Sequence, residues 1–443
     1  MHGPCSLNNS GANVRASAAH VITQVLSGGR SLKAELSVAR TEFSDSRDKA
    51  FLEAMCLAVI RNRRSLEYAL SKFLQKSVQR QDPLLHSLLL VGLAQLHLLK
   101  MSEHAAVSAS VDAARLLGKH SRAGMLNAVL RRSLREGLTV SSEFAINSNH
   151  PDWLLKQLQR DWPEDWQAIV QANNEQAPLW IRVNGAKNNR AEYVALLDQE
   201  QLIYSAPTFA EQAICLEQSI APMRLPGWQE GLVTVQDVSA QLAGEALMLK
   251  PGMVVLDMCA APGGKSAQLA QTPVETLVLL DVYENRLQKI NELFNRLQLP
   301  TNQVQFVSCD ASMPLPNELP QLYDAILLDA PCSATGIIRR QPDVKWHRLA
   351  KDIDHLNTLQ WKLLKNAWRY LKPGGQLLYS TCSVLKAENS LLLDSFLKQN
   401  SDAHAMPLDE KFGRVSGVGR QRFPGEEGGD GFYYALFQKG VIP

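Results

Sequence analysis

Cysteine is sparse and unpaired in this 443-residue chain: seven are scattered, with no C-x-x-C pair and no metal-ligand spacing. This pattern argues against a zinc site and for a reducing, cytoplasmic compartment. Long hydrophobic runs are also missing. The most apolar stretch, Leu84–Leu99, is broken by His86, Gln95 and His97 and is short for a bilayer, so it reads as a buried helix and no membrane partner is expected. No basic region followed by an apolar run opens the chain, so no secretory signal is expected. Internal repeats and long low-complexity segments are absent, which sets aside solenoids and fibrous arrays. What remains is the composition of a globular protein, 45% hydrophobic and 20% charged. Its length calls for two or three domains.

The net charge is small, +2, but unevenly shared: +9 over residues 1–140 and −7 over the rest. A basic first third suggests a polyanionic partner, although solvated faces of a helical domain account for the same charge. Residues 1–12 are polar and small and read as a disordered lead. Val14, Ala18, Val21, Ile22 and Val25 then fall on one helical face. Helical patterns follow at Asp48–Ile60, Ser65–Leu74, around Leu85–Leu96, at Ala105–Leu117 and at Arg122–Leu134. With no strand pattern before about residue 178, residues 1–140 form an all-α bundle. Arg131, Arg132 and Arg135 lie on adjoining turns of its last helix, a candidate phosphate-facing edge.

Residues 141–230 read as a helical connector (Pro151–Asp161, Trp166–Asn173) followed by a small α+β subdomain opened by the strand Leu179–Asn184. From residue 231 to 443 the rhythm becomes strand, helix, strand. Asp237 is placed to cap the helix that leads in. Apolar runs end in an acid at Asp257, Asp281, Asp310 and Asp329, and a long helix, Asp352–Leu371, leads to the strand Gln376–Ser380. Near-continuous apolar strands between helices specify a doubly wound, Rossmann-like parallel sheet, with ligands at the carboxyl ends of its strands.

The first of these strands empties into Cys259-Ala260-Ala261-Pro262-Gly263-Gly264-Lys265 and then a helix. Small residues at a helix start expose backbone N–H groups and let a ligand approach. A Walker A loop would need glycine at position 259, which is Cys259, and no G-x-G-x-x-G begins here. A turn this short lacks a grip for a pyrophosphate, which favours S-adenosylmethionine over a dinucleotide. Asp281 then faces ribose hydroxyls and Asp310 an adenine amino group. Two cysteines, Cys332 after Asp329-Ala330-Pro331 and Cys382 in Ser380-Thr381-Cys382, each fall just past a strand end. Such thiols suit pyrimidine chemistry. Addition to carbon 6 makes carbon 5 a nucleophile toward a sulfonium methyl group, a covalent route through two easier steps. Asp329 could hold the amino edge of the base. Spacing does not say which cysteine attacks.

The motifs DMCAAPGGKS, LLDAPCSATG and STCSV together resemble the RNA cytosine carbon-5 methyltransferases of the RsmB/NOP/NSUN (Fmu/NOP/NSUN) superfamily, and DKAFLEAMCLAVIRNR and AGMLNAVLRR resemble a NusB-type RNA-binding domain. The resemblance spans nearly the whole chain beyond the first dozen residues. It implies a class I S-adenosylmethionine-dependent methyltransferase domain, an RRM-like fold for the small subdomain, and methylation of one cytosine of 16S ribosomal RNA. It further implies that Cys259–Lys265, Asp281, Asp310 and Asp329 hold the methyl donor, that Cys382 is the attacking thiol, and that Cys332 assists product release. Arg339, Arg340 and Lys345 in RRQPDVKW, and the terminal GDGFYYALF, are implied as RNA contacts near the site. No metal is called for. The alternative is an RNA-binding or antitermination factor on a non-catalytic methyltransferase-like scaffold.

Overall fold

The computed structural model describes residues 10–218 and 220–441. The first nine residues of the expected disordered lead lie outside them; Ser10, Gly11 and Ala12 already belong to a helix. The described chain divides into two units, residues 1–174 with 341–348, and residues 175–340 with 349–443. No helix among the described residues is long and apolar enough to cross a membrane.

The first unit is helical: α1 (Ser10–Leu26), α2 (Leu32–Ala39), α3 (Ser46–Arg61), α4 (Arg63–Phe73), α5 (Pro83–His97), α6 (Glu103–Leu116) and α7 (Ala123–Glu136), then α8 (Phe144–Asn147), α9 (Asp152–Asp161) and α10 (Trp166–Asn174). Helix α5 is its core. Pro83 supplies the first-turn φ and Asp82 caps the Leu85 N–H at 3.1 Å, so the helix starts without an orphan donor there. Every residue from Leu85 to Leu96 is buried, which explains why the stretch shows no polar stripe. Gly92 lets α7 close in: a Cβ there would lie 2.7 Å from Leu130 Cδ2. The predicted face of α1 is buried throughout.

Residues 341–348 complete this unit. The Asp343 carboxylate accepts the Leu32 N–H at 3.0 Å, the Trp346 indole donates to Ile60 O at 2.9 Å, and His347 Nε2 lies 2.9 Å from Val25 O. The segment therefore terminates α1 and α3 and caps the start of α2, using backbone groups that helix ends leave unpaired.

The second unit carries two sheets. The smaller contains β1 (Leu179–Val183), β2 (Tyr204–Ser205), β3 (Ala213–Leu216) and β4 (Val233–Val235) in the order β2-β3-β1-β4, with α11 (Arg190–Gln199) between β1 and β2. All its pairings are antiparallel. Its last strand lies beyond residue 230, where the sequence reading closed the subdomain. A capping box at Asn189 and Glu192 starts α11.

The larger sheet follows α12 (Val238–Ala246), whose N-terminus Asp237 caps through Ser239 N. Its parallel core is β5 (Val254–Asp257), β6 (Thr276–Asp281), β7 (Val304–Ser308), β8 (Tyr323–Asp329) and β9 (Leu371–Thr381), in the order β9-β8-β5-β6-β7. Helices α13 (Gly264–Leu269) and α14 (Glu284–Leu297) serve as crossovers, as does the longer Ala350–Tyr370. Alternate residues feed opposite faces. Val255, Leu277, Leu279 and Leu327 pack with α12–α14, whereas Leu256, Val278, Leu280 and Leu328 pack under Leu363, Leu364 and Phe396. This two-sided burial is why these strands read as unbroken apolar runs. An antiparallel edge of β10 (Ala403–Met406), β11 (Arg414–Ser416), β12 (Gly419–Arg422) and β13 (Phe432–Lys439) extends β9. The sequence reading placed no strand at β10–β12, which are short and mostly polar. Strand order reverses direction between β5 and β8, the switch point that opens a crevice at the carboxyl ends.

Candidate active site

The glycine turn after β5 is built from its backbone outward. Met258 N donates to Leu327 O at 3.0 Å and Ala260 N to Leu280 O at 2.8 Å, so the turn is stitched to both neighbouring strands. Gly263 has φ of +96°, in the left-handed region, and a Cβ there would meet Ile290 Cγ2 at 2.9 Å. Asp257 is buried below the turn and accepts Ser266 Oγ at 2.7 Å; burial pushes its carboxyl up to about 7. Arg182 of β1, also buried, donates to Gly264 O at 2.7 Å and to Gln236, bracing the loop from the small sheet.

Three of the four strand-end acids line one cleft of about 390 Å³, whose walls include Cys259, Asp281, Asp310, Asp329, Cys332 and Cys382, while Asp257 lines an adjoining cavity. Asp281 accepts Tyr283 N at 3.1 Å and lies 3.3 Å from Arg286 Nη1. Asp310 is exposed two residues beyond β7, not in the strand itself, and accepts Ser312 N at 2.9 Å. Asp329 is held on both oxygens, by Lys265 Nζ at 2.7 Å and Ser380 Oγ at 2.9 Å. The Lys265 ammonium also lies 4.9 Å from the Phe432 ring centre. Of the turn, Cys259 and Ala261 line the large cleft. Ala260, Pro262, Gly264 and Lys265 line an adjoining cavity of about 250 Å³ that shares Cys259, Ala261 and Asp329 with it. Gly263 lines neither and acts through the turn's path.

The two sequence-predicted cysteines meet: Cys332 Sγ and Cys382 Sγ are 3.4 Å apart. Cys382 is partly exposed and Cys332 buried. Contact with Cys382, burial, and the charges of Cys382 and Glu388 push the Cys332 thiol well above its ordinary range. Burial does the same to Cys259, which fits a wall rather than a nucleophile. Sequence reasoning missed Arg286, which faces Asp281, and Glu388, which accepts from Ser333 and Ser383, the residues that follow the two cysteines. Neither belongs to a recognisable spacing.

Of the residues expected at the RNA, Arg339 and Lys345 are buried and Arg340 is part-buried, each with partners within its own unit. Arg339 is buried and donates to Gly429 O at 3.1 Å. Arg340 bridges Asp430 at 2.6 Å and Asp237 at 2.8 Å. Lys345, in the helical unit, donates to Arg61 O and Asn174 Oδ1 at 3.1 and 2.9 Å, and burial lowers its pKa to about 7. A buried cation needs such partners. The GDGFYYALF stretch likewise turns inward, with Asp430 and Phe432–Phe437 buried. Arg131, Arg132 and Arg135 are exposed on α7; Arg132 pairs with Glu136 at 2.8 Å, and Arg131 donates to Asn127 at 3.1 Å.

Known proteins match each part of the chain. The 16S rRNA methyltransferase RsmB/F family model matches residues 245–438, an RsmF/B-like ferredoxin-like domain matches 150–222, and the NusB family matches 12–135. A relative from Xanthomonas campestris pv. campestris, ribosomal RNA small subunit methyltransferase B, is 45% identical over 97% of this chain and 98% of its own. The crystal structure of PH0851 aligns with 99% of this chain and 100% of its own at a TM-score of 0.83 and 21% identity, a likeness of fold. That of a methyltransferase homolog protein from Pyrococcus horikoshii aligns with 67% of this chain and 97% of its own at a TM-score of 0.58 and 29% identity. With three domain types matched in order and near-complete coverage in both directions, the chain belongs to the ribosomal RNA small subunit methyltransferase B family.

Proposed function

We propose that the protein transfers a methyl group from S-adenosylmethionine to carbon 5 of a cytosine in 16S ribosomal RNA, with Cys382 bonded transiently to carbon 6. The observation that carries this reading is the pair of thiols 3.4 Å apart in the wall of the cleft that Asp281 and Asp310 also line. The relatives' name supports small-subunit ribosomal RNA as the substrate.

The cleft suits the donor. Its volume of about 390 Å³ is of small-molecule size. The Asp281 carboxylate matches ribose hydroxyls, Asp310 matches an adenine amino group, and Ala261, Val282 and Ala311 offer apolar walls. S-adenosylmethionine supplies an electrophilic methyl group on a sulfonium centre.

The remaining work falls to the chain. Cys382 Sγ adds to carbon 6, and the electron pair of the 5,6 double bond makes carbon 5 nucleophilic. Asp329, oriented by Lys265 and Ser380, accepts from the amino edge of the base. After carbon 5 has gained the methyl group, a base takes its proton. The C–H electron pair re-forms the double bond and Sγ departs. Cys332, in contact with that sulfur, assists the departure. The cytosine must leave any stack to reach the thiol.

The test is transfer of a labelled methyl group to 16S ribosomal RNA, with the position mapped by bisulfite sequencing. Cys382→Ala should abolish transfer, and Cys332→Ala should accumulate a protein–RNA adduct stable in denaturing gels. Full activity of Cys382→Ala would move the attack elsewhere. RNA binding without S-adenosylmethionine binding or transfer would make the protein a non-catalytic RNA-binding factor.

A further inference from the structure

Below the two thiols lies a carboxylate that the proposed reaction does not use. Glu388 ends a single 3-10 turn, Lys386–Glu388, just past the Thr381-Cys382-Ser383 segment, and is fully buried. Its Oε1 accepts the Ser333 N–H at 2.8 Å and Gln360 Nε2 at 3.0 Å. Its Oε2 accepts Ser333 Oγ and Ser383 Oγ, each at 2.5 Å. Ser333 follows Cys332 and Ser383 follows Cys382, so one side chain grips the residue next to each thiol. Thr335 Oγ1 closes the figure, 3.1 Å from both serine hydroxyls, and accepts Val384 N at 3.1 Å. The Glu388 carbonyl in turn accepts the Tyr379 hydroxyl at 2.7 Å.

The four donors to this carboxylate named above, all among the described residues, are neutral. Burying a charge without a counter-ion is costly, and an apolar side chain of the same volume fills the space more cheaply. What the carboxylate adds is a fixed tether between two loops that meet only in the tertiary structure, and a negative charge felt at the Cys332 sulfur.

We propose that Glu388 is a positioning residue for the methyl transfer: its carboxylate ties the Cys332 and Cys382 loops together, sets the separation of the two sulfurs, and keeps Cys332 in its thiol form toward Cys382. The proposal rests on the reading of Cys382 as the nucleophile. A negative charge disfavours a second one nearby. Contact with Cys382 at the end of β9, burial and the charge of Glu388 all disfavour a thiolate at Cys332, against a weaker opposing hydrogen bond from the Ala334 backbone; the phenol of Tyr379 lies on the same side of the site, and the long helix Ala350–Tyr370 contributes neutral Gln360, which donates to Pro331 O and to Glu388. The cations at the cleft and its adjoining cavity, Arg286 and Lys265, are paired with Asp281 and Asp329. Cys332 held as S–H can donate to the sulfur of Cys382 as that sulfur leaves carbon 6, which gives the release role a physical basis.

Glu388→Gln and Glu388→Asp test it in the full-length protein. For Glu388→Gln, kcat for methyl transfer should fall by about 10²-fold, the scale of a misplacement near 1 Å, with S-adenosylmethionine affinity unchanged. The initial rate of Cys332 alkylation by iodoacetamide, read peptide by peptide, should rise about tenfold at fixed pH, equivalent to one pKa unit. Glu388→Asp keeps the charge but withdraws the tether, so kcat should fall while Cys332 stays slow to alkylate. Should Glu388→Gln fail to fold, Ser383→Ala removes one donor of four and should lower kcat about tenfold with Cys332 still slow. A folded Glu388→Gln with unaltered kcat, or with reduced kcat and unaltered Cys332 alkylation, overturns the proposal. Wild-type protein that transfers no methyl group to cytosine overturns the reading of Cys382 instead, and the alkylation profile still decides the role of Glu388.

Discussion

Replacing Gly263 by alanine isolates what the glycine turn contributes. Two separate costs follow from the geometry. The first is conformational: φ of +96° is foreign to a residue with a Cβ, worth about 1–2 kcal/mol. The second is contact. The new methyl group would sit 2.9 Å from Ile290 Cγ2 and 3.2 Å from Cγ1, and α14 is packed too firmly to yield freely, which adds about 1–3 kcal/mol. Together they come to about 2–5 kcal/mol. The assay is calorimetric titration with S-adenosylmethionine, alongside the midpoint of the thermal transition that the ligand raises. A double-mutant cycle with Ile290→Ala separates the costs, since truncating Ile290 removes the contact but not the dihedral penalty. Gly263→Ala should weaken binding and lower the midpoint, and the double variant should lose about 1–3 kcal/mol less than the sum of the two single losses. Strict additivity would show that Ile290 does not shape the turn. Wild-type affinity in Gly263→Ala would show that the turn does not form the donor site.

Other consequences can be measured directly. Because burial holds the Asp257 carboxyl at about 7, the fold favours its neutral form; the associated stability is complete below about pH 4 and is lost as pH rises through about 7. Asp257→Asn should therefore gain on the wild type between about pH 4 and 7, by up to about 4 kcal/mol, and then level off; a pH-independent difference in denaturant unfolding would refute this. We propose that the exposed arginines of α7 face RNA phosphates. Arg131, Arg132 and Arg135 changed together to alanine should reduce the slope of log affinity against log salt by about 2–3, and an unchanged slope would place them elsewhere. Arg340→Met should destabilise the second unit by about 3–5 kcal/mol, because Asp237 and Asp430 would lose their shared cation; a near-neutral effect on thermal unfolding would contradict the pairing.

The sequence made the parallel core legible because two-sided burial writes itself as continuous apolar runs, and strands that end in Asp257, Asp281 and Asp329 mark the open end of the sheet. The meeting of Cys332 and Cys382 followed from placing each past a strand end, since β8 and β9 are neighbours. Side-chain charge misled where its partner was remote. Arg340 reads as a surface cation until Asp237 and Asp430, about a hundred residues away on either side, are brought against it. Lys345 reads the same way until the ends of α3 and α10 receive it. Glu388 was invisible for a related reason. Its meaning lies in Ser333, 55 positions earlier, and no local periodicity encodes such a pairing.

The membership of residues 341–348 in the helical unit bears on how that unit could be prepared in isolation. A fragment cut after Asn174 would lack Asp343, Trp346 and His347, baring the ends of α1 and α3 and leaving an indole-sized gap beside Arg63 at the margin of the core. Such a fragment is a lock without its key. Supplying the octapeptide QPDVKWHR in trans, or grafting it to the cut end through a flexible spacer, would restore the missing piece.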